Sequence, residues 1–434
     1  MKKWLVFLFA AAFLFRLVGL DQSLWLDEAI SANVAMQKGF GEIIRDFSPT
    51  DFHPPLYYLM LKAWVSLFGS SEISVRFPSI IFSLLAGWMV YRIGKKLKDT
   101  HFGLWASAFF LFNPLIVYYS QEARMYMMAT FFIAASFYFL LSRRFFLSAV
   151  SAAVAFFTFY GALFYIGSAI VYFLIKKQYK KVLIFLSISI IGLIILSPLF
   201  YQQFIHAKIQ LVAVSNWSMV LGKITLKNLL LIPLKFSIGR ISFYPKTPYY
   251  LIAGLWTLIV FYFILQGGVK NKKIFFFFFM PIFLGVVFSL FTPLLQYFRF
   301  IYAIPLMSLL FVYATYKSPM RFVLLAGFVS AGAVYVFISA FHREDWKTLA
   351  KDVVKCKSVY MVYASSDAMK YYCKNIRIKD LSELMNVSEK EIMILPYSSD
   401  IYGIEYQRVL LNKKYGILHK KTYRRLVLET WQRK

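Results

Sequence analysis

Leu24-Trp25-Leu26-Asp27-Glu28-Ala29 follows directly on the first apolar stretch of the chain, Trp4 to Leu20. Ionisable groups are expensive near hydrocarbon and are placed there for a reason. Chemistry carried out at a bilayer surface needs a carboxylate held just outside the apolar layer, and few structural roles ask for two. The stretch thus makes Asp27 the first candidate for a reacting group.

Composition supports a membrane setting. Hydrophobic residues make up 60% of the 434, against roughly 45–50% in a soluble domain. The mean hydropathy is +0.62, and 47 Phe with 30 Tyr supply aromatic surface for lipid. A net charge of +29 would suggest nucleic acid in a soluble chain. In a polytopic membrane protein Lys and Arg fix topology instead, and no nucleic-acid partner is expected.

Eleven apolar stretches come near the length a crossing helix needs. They are 4–20, 77–94, 102–118, 127–141, 145–160, 161–175, 182–200, 247–266, 274–292, 299–316 and 321–341. Lys2 and Lys3 resemble the basic start of a signal peptide, but no small-residue cleavage site follows, so the first span is read as retained. With that end inside, alternate loops should be basic. They carry Arg92, Lys95, Lys96 and Lys98, then Arg143 and Arg144, then Lys176, Lys177, Lys180 and Lys181, then Lys270, Lys272 and Lys273, and finally Lys317 and Arg321. The N-terminus is therefore expected to be cytoplasmic, in a plasma (inner) membrane. Residues 21–76, 201–246 and the tail from about 342 should lie outside.

The acids are distributed unevenly. Between Phe77 and His342 there are only Asp99 and Glu122. Asp99 adjoins the Lys95–Lys98 cluster, which leaves Glu122 as the lone outward-facing carboxylate between the first loop and the tail. Its neighbour Arg124 is too close in sequence to share a helix face with it, although a plain polar cap between two spans would also read this way. The first outer loop is longer than a connector requires. A helix should run from Asp27 to about Lys38, with Gly39 and Gly41 ending it. Asp51-Phe52-His53-Pro54-Pro55-Leu56-Tyr57-Tyr58 should then open an interfacial helix near 55–68.

Four of these segments occur in the order and spacing of one family: Leu24–Ala29, Asp51–Tyr58, Ser71–Ser79 and Tyr119–Tyr126. The chain resembles the GT-C glycosyltransferases, in the branch with the protein O-mannosyltransferases and the aminoarabinose transferase of lipid A. Pro293–Phe300 and Arg343-Glu344-Asp345-Trp346-Lys347 are similar to two later elements of that branch. The resemblance covers about residues 1–350. It implies an inverting transfer of a sugar from a polyprenyl-phosphate donor to a protein, lipid or polysaccharide acceptor on the outer face.

Under that resemblance Asp27 matches the catalytic acid position and would act as general base. Glu28 and Glu122 join it as catalytic candidates, with Glu28 also able to orient Asp27 or cap the following helix. Arg124 and Arg299 are candidates for the donor phosphate because a planar guanidinium matches phosphate oxygens. His53 and Tyr126 would assist them, while Asp51, Tyr57 and Gln121 would position substrate. A divalent ion on Asp27, His53 and Glu122 is compatible with those residue types but not required by them.

Outer segment 201–246 carries His206, Lys208, Lys223, Lys227, Lys235, Arg240 and Lys246 and no acid. It would either recruit an anionic lipid or let its Lys side chains snorkel from an interfacial helix near 219–235. There is no Gly-rich phosphate loop, no zinc-type Cys/His spacing and no nucleotide-sugar motif. The tail, 342–434, has strand-like Ser358–Tyr363, Glu391–Leu395 and Arg425–Thr430 with a helix near Asp367–Lys374, which suggests a small α/β domain. Cys356 and Cys373 could pair or remain two buried thiols. The expected architecture is an all-α polytopic membrane domain of GT-C type, 1–341, with about 11 spans and that outer domain. A transporter or flippase of lipid-linked saccharides is the competing reading. It is disfavoured because its ionisable groups should lie near mid-membrane.

Overall fold

The computed structural model describes residues 2–353 and 358–434. Cys356 lies outside them, so the pairing of Cys356 with Cys373 is not addressed. The Cys373 thiol itself is buried and donates to the Ala350 carbonyl at 3.4 Å.

The bundle opens with α1 (Lys2–Leu17), α2 (Leu26–Gln37), α3 (Leu56–Phe68) and α4 (Glu72–Leu97). It continues with α5 (Thr100–Leu111), α6 (Pro114–Ser120), α7 (Tyr126–Leu141), α8 (Phe145–Thr158), α9 (Ala162–Ile175) and α10 (Tyr179–Ala213). Then come α11 (Leu226–Ile238), α12 (Lys246–Lys270), α13 (Lys272–Phe288), α14 (Ile304–Thr315) and α15 (Met320–Phe337). Helices occupy part or all of each of the eleven expected stretches, but most of these helices are too short to count as spans by length and hydropathy. Among the described residues five helical segments are long and apolar enough to cross a membrane, or six if the bent pair α5 and α6 is taken as one. The protein is a multi-pass membrane protein.

Two boundaries differ from expectation. The stretch 102–118 is broken, with α5 and α6 meeting at 64°. Asn113 is the cause: its Oδ1 accepts from the Leu115 and Ile116 amides at 3.0 and 3.2 Å and so starts a new helix, with Pro114 at its first position. The Asn113 amide also donates to the Phe236 carbonyl at 2.9 Å. Second, α10 does not stop near 200 but runs to Ala213, a length of about 50 Å at 1.5 Å per residue. His206 and Lys208 therefore sit on a helix, with the His206 ring 5.8 Å from that of Phe52 in the first loop.

The basic loops gather at one end. Arg92 lies over the Tyr138 ring, Lys181 over Phe145 and Lys273 over Tyr172, while Tyr316 donates to Asp99. Asp27 and Arg76 mark the other end, since α1 and α4 each run from one group to the other. In α1 a buried arginine closes the structure near that second end. Arg16 donates to Ser83 Oγ at 2.9 Å, to Ala12 O at 2.8 Å and to Leu111 O at 2.7 Å. The Leu111 carbonyl is one of those that α5 leaves free at the break, so the charge of Arg16 meets a helix C-terminus.

Backbones touch where side chains are absent. A Cβ on Gly267 of α12 would stand 2.1 Å from the Leu310 carbonyl oxygen of α14. Gly267→Val therefore forces the two helices apart, and overpacking of this kind costs about 1–3 kcal/mol. The expected result is a lower melting midpoint in detergent than wild type; an unchanged midpoint would show that the contact is looser than described.

The tail forms a five-stranded sheet of β1 (Ser358–Met361), β2 (Arg377–Asp380), β3 (Glu391–Ile394), β4 (Tyr415–Tyr423) and β5 (Leu426–Arg433) in the order β2-β1-β3-β5-β4. β1 is parallel to β2 and β3, and β5 is antiparallel to β3 and β4. Strand alternation divides its apolar residues. Tyr360, Ile392, Ile394 and Trp431 share one core with Leu381 and Leu410. Val359, Met361 and Leu428 face the other way, into the same core as the bundle, through α16 (Trp346–Val353) and α17 (Asp367–Tyr372). β2 and β4 carry too little apolar periodicity to be read from sequence.

Candidate active site

α2 starts at the sequence that opened the reading. Trp25 caps it, and the Trp25 amide reaches Glu28 Oε2 at 3.4 Å. Asp27, in the first turn, is favoured there by the helix dipole. Its side chain is 35% exposed, which leaves an oxygen accessible. Arg124 meets it: Nη2 lies 3.5 Å from Asp27 Oδ2, and Nη1 donates to the Asp27 carbonyl at 3.4 Å.

Glu28 takes a different role from its neighbour. It is fully buried and paired with Arg76, whose Nε and Nη2 donate to its two oxygens at 2.8 and 2.6 Å. The Ala123 amide also donates to Glu28 Oε1 at 2.8 Å. Arg76 donates further to the carbonyls of Leu20, Gln22 and Ser23. One ion pair thus fastens the end of α1, the start of α2, α4 and the 121–125 turn together. Glu28 has no face turned to a substrate. No role for Arg76 is legible in the sequence, although it lies in the quoted Ser71–Ser79 segment.

Gln121 also departs from expectation. Its amide nitrogen donates to Arg16 O and Val18 O, both at 2.8 Å, which satisfies the open C-terminal carbonyls of α1. It ties the turn to that helix and is buried away from Asp27. Glu122 is buried as well. Arg343 donates to its Oε1 through Nε and Nη2 at 3.2 Å, and Oε2 has no partner among the described residues. Burial holds the Glu122 carboxyl above the usual range even with Arg343 against it. Arg343 in turn lies 3.7 Å from the Trp25 ring centroid. The tail therefore reaches the site through a residue whose motif was visible but whose contact was not.

The Asp51–Tyr58 segment packs beside Arg124. His53 Nδ1 is 3.4 Å from Asp51. Burial alone would raise the Asp51 carboxyl, but the His53 ring and the Arg124 guanidinium outweigh it and hold the group below its ordinary value. Gln203 of α10 fixes the loop by donating to Ser48 O at 2.7 Å and His53 O at 3.2 Å, and Tyr160 donates to its Oε1 at 2.7 Å. Nothing in the sequence signalled Gln203. Tyr57 is buried, and its hydroxyl has no partner among the described residues.

Tyr126 packs edge-on to Phe298, 5.7 Å between centroids, next to Arg299. Arg299 Nη1 and Arg124 Nε are buried donors with no acceptor among the described residues. Such groups are rare in folded chains and point toward a ligand. From the basic 201–246 segment, Arg240 donates to Tyr118 OH at 2.9 Å, and Lys235 is buried near Tyr249 OH and the Ile241 carbonyl. Lys235 is thus neither snorkelling nor free for lipid. Asp27, His53 and Glu122 do not converge as a metal site: among the described residues no three His, Cys, Asp or Glu side chains could hold an ion. Arg124 stands beside Asp27 and Arg343 beside Glu122.

A family model described as dolichyl-phosphate-mannose-protein mannosyltransferase matches residues 52–202. Among solved structures, ArnT from Cupriavidus metallidurans in the apo state superposes with a TM-score of 0.52, covering 99% of this chain and 98% of that one at 12% identity. The chain has an ArnT-like fold. ArnT bound to undecaprenyl phosphate superposes at 0.50 over the same shares, with 14% identity. The archaeal oligosaccharyltransferase AglB from Archaeoglobus fulgidus, in complex with an inhibitory peptide and a dolichol-phosphate, gives 0.51 at 11% identity, covering 96% of this chain and 73% of that one. No curated protein matches in sequence. In this fold the first loop, the 121–125 turn and the start of the tail meet around Asp27 and Glu122.

Proposed function

We propose that this protein is an inverting glycosyltransferase that moves a sugar from a polyprenyl-phosphate donor to an acceptor hydroxyl on the outer face of the membrane. The observation that carries the reading is the unaccepted guanidinium donor on Arg124 beside an accessible Asp27, with a second such donor on Arg299 near Tyr126. The lipid phosphates in the titles of the ArnT and AglB structures agree with it.

In this reaction the acceptor oxygen bonds to the anomeric carbon from the face opposite the phosphate. Its proton passes to an Asp27 oxygen. The bond from the anomeric carbon to the phosphate oxygen breaks, and its electron pair stays with the phosphate, which leaves as a polyprenyl monophosphate. The charge gained there is met by Arg124 and Arg299. Arg124 serves both partners, since it also holds Asp27 in place. Glu28 acts as a positioning residue through Arg76 and the Ala123 amide. Asp51 and His53 border the phosphate seat, and Glu122 with Arg343 closes its far side.

The test is turnover of a radiolabelled polyprenyl-phosphate-sugar panel in native membranes and in purified protein, with Arg299→Gln beside wild type. One donor should be consumed. Loss of a charged hydrogen bond, about 1.5–3 kcal/mol, should raise the donor KM of the variant roughly 10- to 100-fold. No consumption of any donor in native membranes, with labelled lipid crossing proteoliposomes instead, would establish the carrier reading.

A further inference from the structure

A cavity lies far from Asp27. It has a volume of about 750 Å³ and is lined by Lys2, Leu5 and Val6 of α1, by Trp88, Tyr91, Arg92, Lys95 and Lys96 of α4, and by Tyr138 of α7. Arg92 is sixteen residues beyond Arg76 on α4, which puts the cavity roughly 24 Å from the Glu28–Arg76 pair at 1.5 Å per residue. It therefore opens at the opposite end of the bundle, where the basic loops gather.

Its chemistry is divided. Lys2, Arg92, Lys95 and Lys96 supply four cations, and no carboxylate lines the space. Leu5, Val6 and Trp88 form an apolar wall that continues toward the bundle. Arg92 is held in place: its Nη2 donates to Tyr138 OH at 2.7 Å and its guanidinium lies over the same ring. Four cations fixing topology could be scattered on the surface; here they converge on one hollow with an aromatic floor. Aromatic and basic residues at a membrane boundary match the headgroup level of a lipid.

We propose that this hollow binds one anionic glycerophospholipid of the leaflet opposite the candidate active site. Its phosphodiester would sit among Arg92, Lys95, Lys96 and Lys2, and an acyl chain would lie on Leu5, Val6 and Trp88. The anionic headgroup is chosen by the uncompensated charge, and the glycerolipid by the apolar wall, which a free phosphate would leave unused.

The experiment is native mass spectrometry and thermal melting of the full chain with added phosphatidylglycerol, phosphatidylcholine, polyprenyl phosphate or inorganic phosphate. Wild type should retain one phosphatidylglycerol and melt higher with it than with the other three. Lys95→Gln/Lys96→Gln should weaken that retention roughly 30-fold, at about 1 kcal/mol for each cation near the surface. Its melting in phosphatidylcholine should be unchanged. Lys176→Gln/Lys177→Gln removes two cations outside the hollow and should retain the lipid as wild type does. Equal loss in both double variants would reduce the effect to general surface charge and overturn the proposal. So would equal retention of phosphatidylcholine or polyprenyl phosphate, or an equal shift with inorganic phosphate.

Discussion

Asp27→Asn is expected to lower kcat/KM for sugar transfer about 10²- to 10⁴-fold, the range attributed to a positioned general base. The substitution keeps size and shape and removes the capacity to take a proton. Arg124 should remain near its place, because its Nη1 bond goes to the Asp27 backbone carbonyl, which the change leaves intact. Donor binding is therefore expected to persist, and the loss should fall on kcat. A variant that turns over within about threefold of wild type would remove Asp27 from the chemistry. A variant that loses donor binding together with turnover would instead make Asp27 a support for Arg124.

The second large effect concerns stability. Glu28 and Arg76 form a buried pair with side chains 0% and 1% exposed. Removing one partner leaves the other charge uncompensated, which costs about 3–5 kcal/mol. Arg76→Met also strips the Leu20, Gln22 and Ser23 carbonyls of their donor. Both Glu28→Gln and Arg76→Met should melt well below wild type, and the double variant should lose clearly less than the sum of the two. Additive losses would mean that the pair is not coupled and that Arg76 matters only through the carbonyls. Activity in the surviving fraction should fall too, since Ala123 and Trp25 are both held by Glu28.

Much of the helical layout was legible because lipid imposes one requirement on sequence: enough consecutive apolar residues to satisfy the backbone inside hydrocarbon. The break at Asn113 was harder. Its signals, Asn followed by Pro, were present in 102–118, but hydropathy averages over them. In the tail, β1, β3 and β5 could be read from β-branched and aromatic residues. β2 and β4 could not, because Arg377-Ile378-Lys379-Asp380 and the exposed middle of β4 have partners on only one side.

The candidate site divides along the same line. The sequence by itself determined a membrane chain with carboxylates and arginines concentrated at span ends, and the family resemblance carried by its ordered motifs singled out Asp27, His53, Glu122 and Arg124 as a group. Those inferences rest on composition and on spacing along the chain, which are local properties. Only the tertiary structure decided which of the adjacent groups faces outward. Asp27 and Glu28 differ by one helical step of about 100°: one stays half-exposed beside Arg124, and the other enters the core to meet Arg76. Gln121 and Glu122 separate in the same manner, one toward the carbonyls of α1 and the other toward Arg343 from the tail. The partners that make each choice lie 48, 105 and 221 positions away. Pairing over such distances is set by how the helices pack, and no local pattern in the chain carries it.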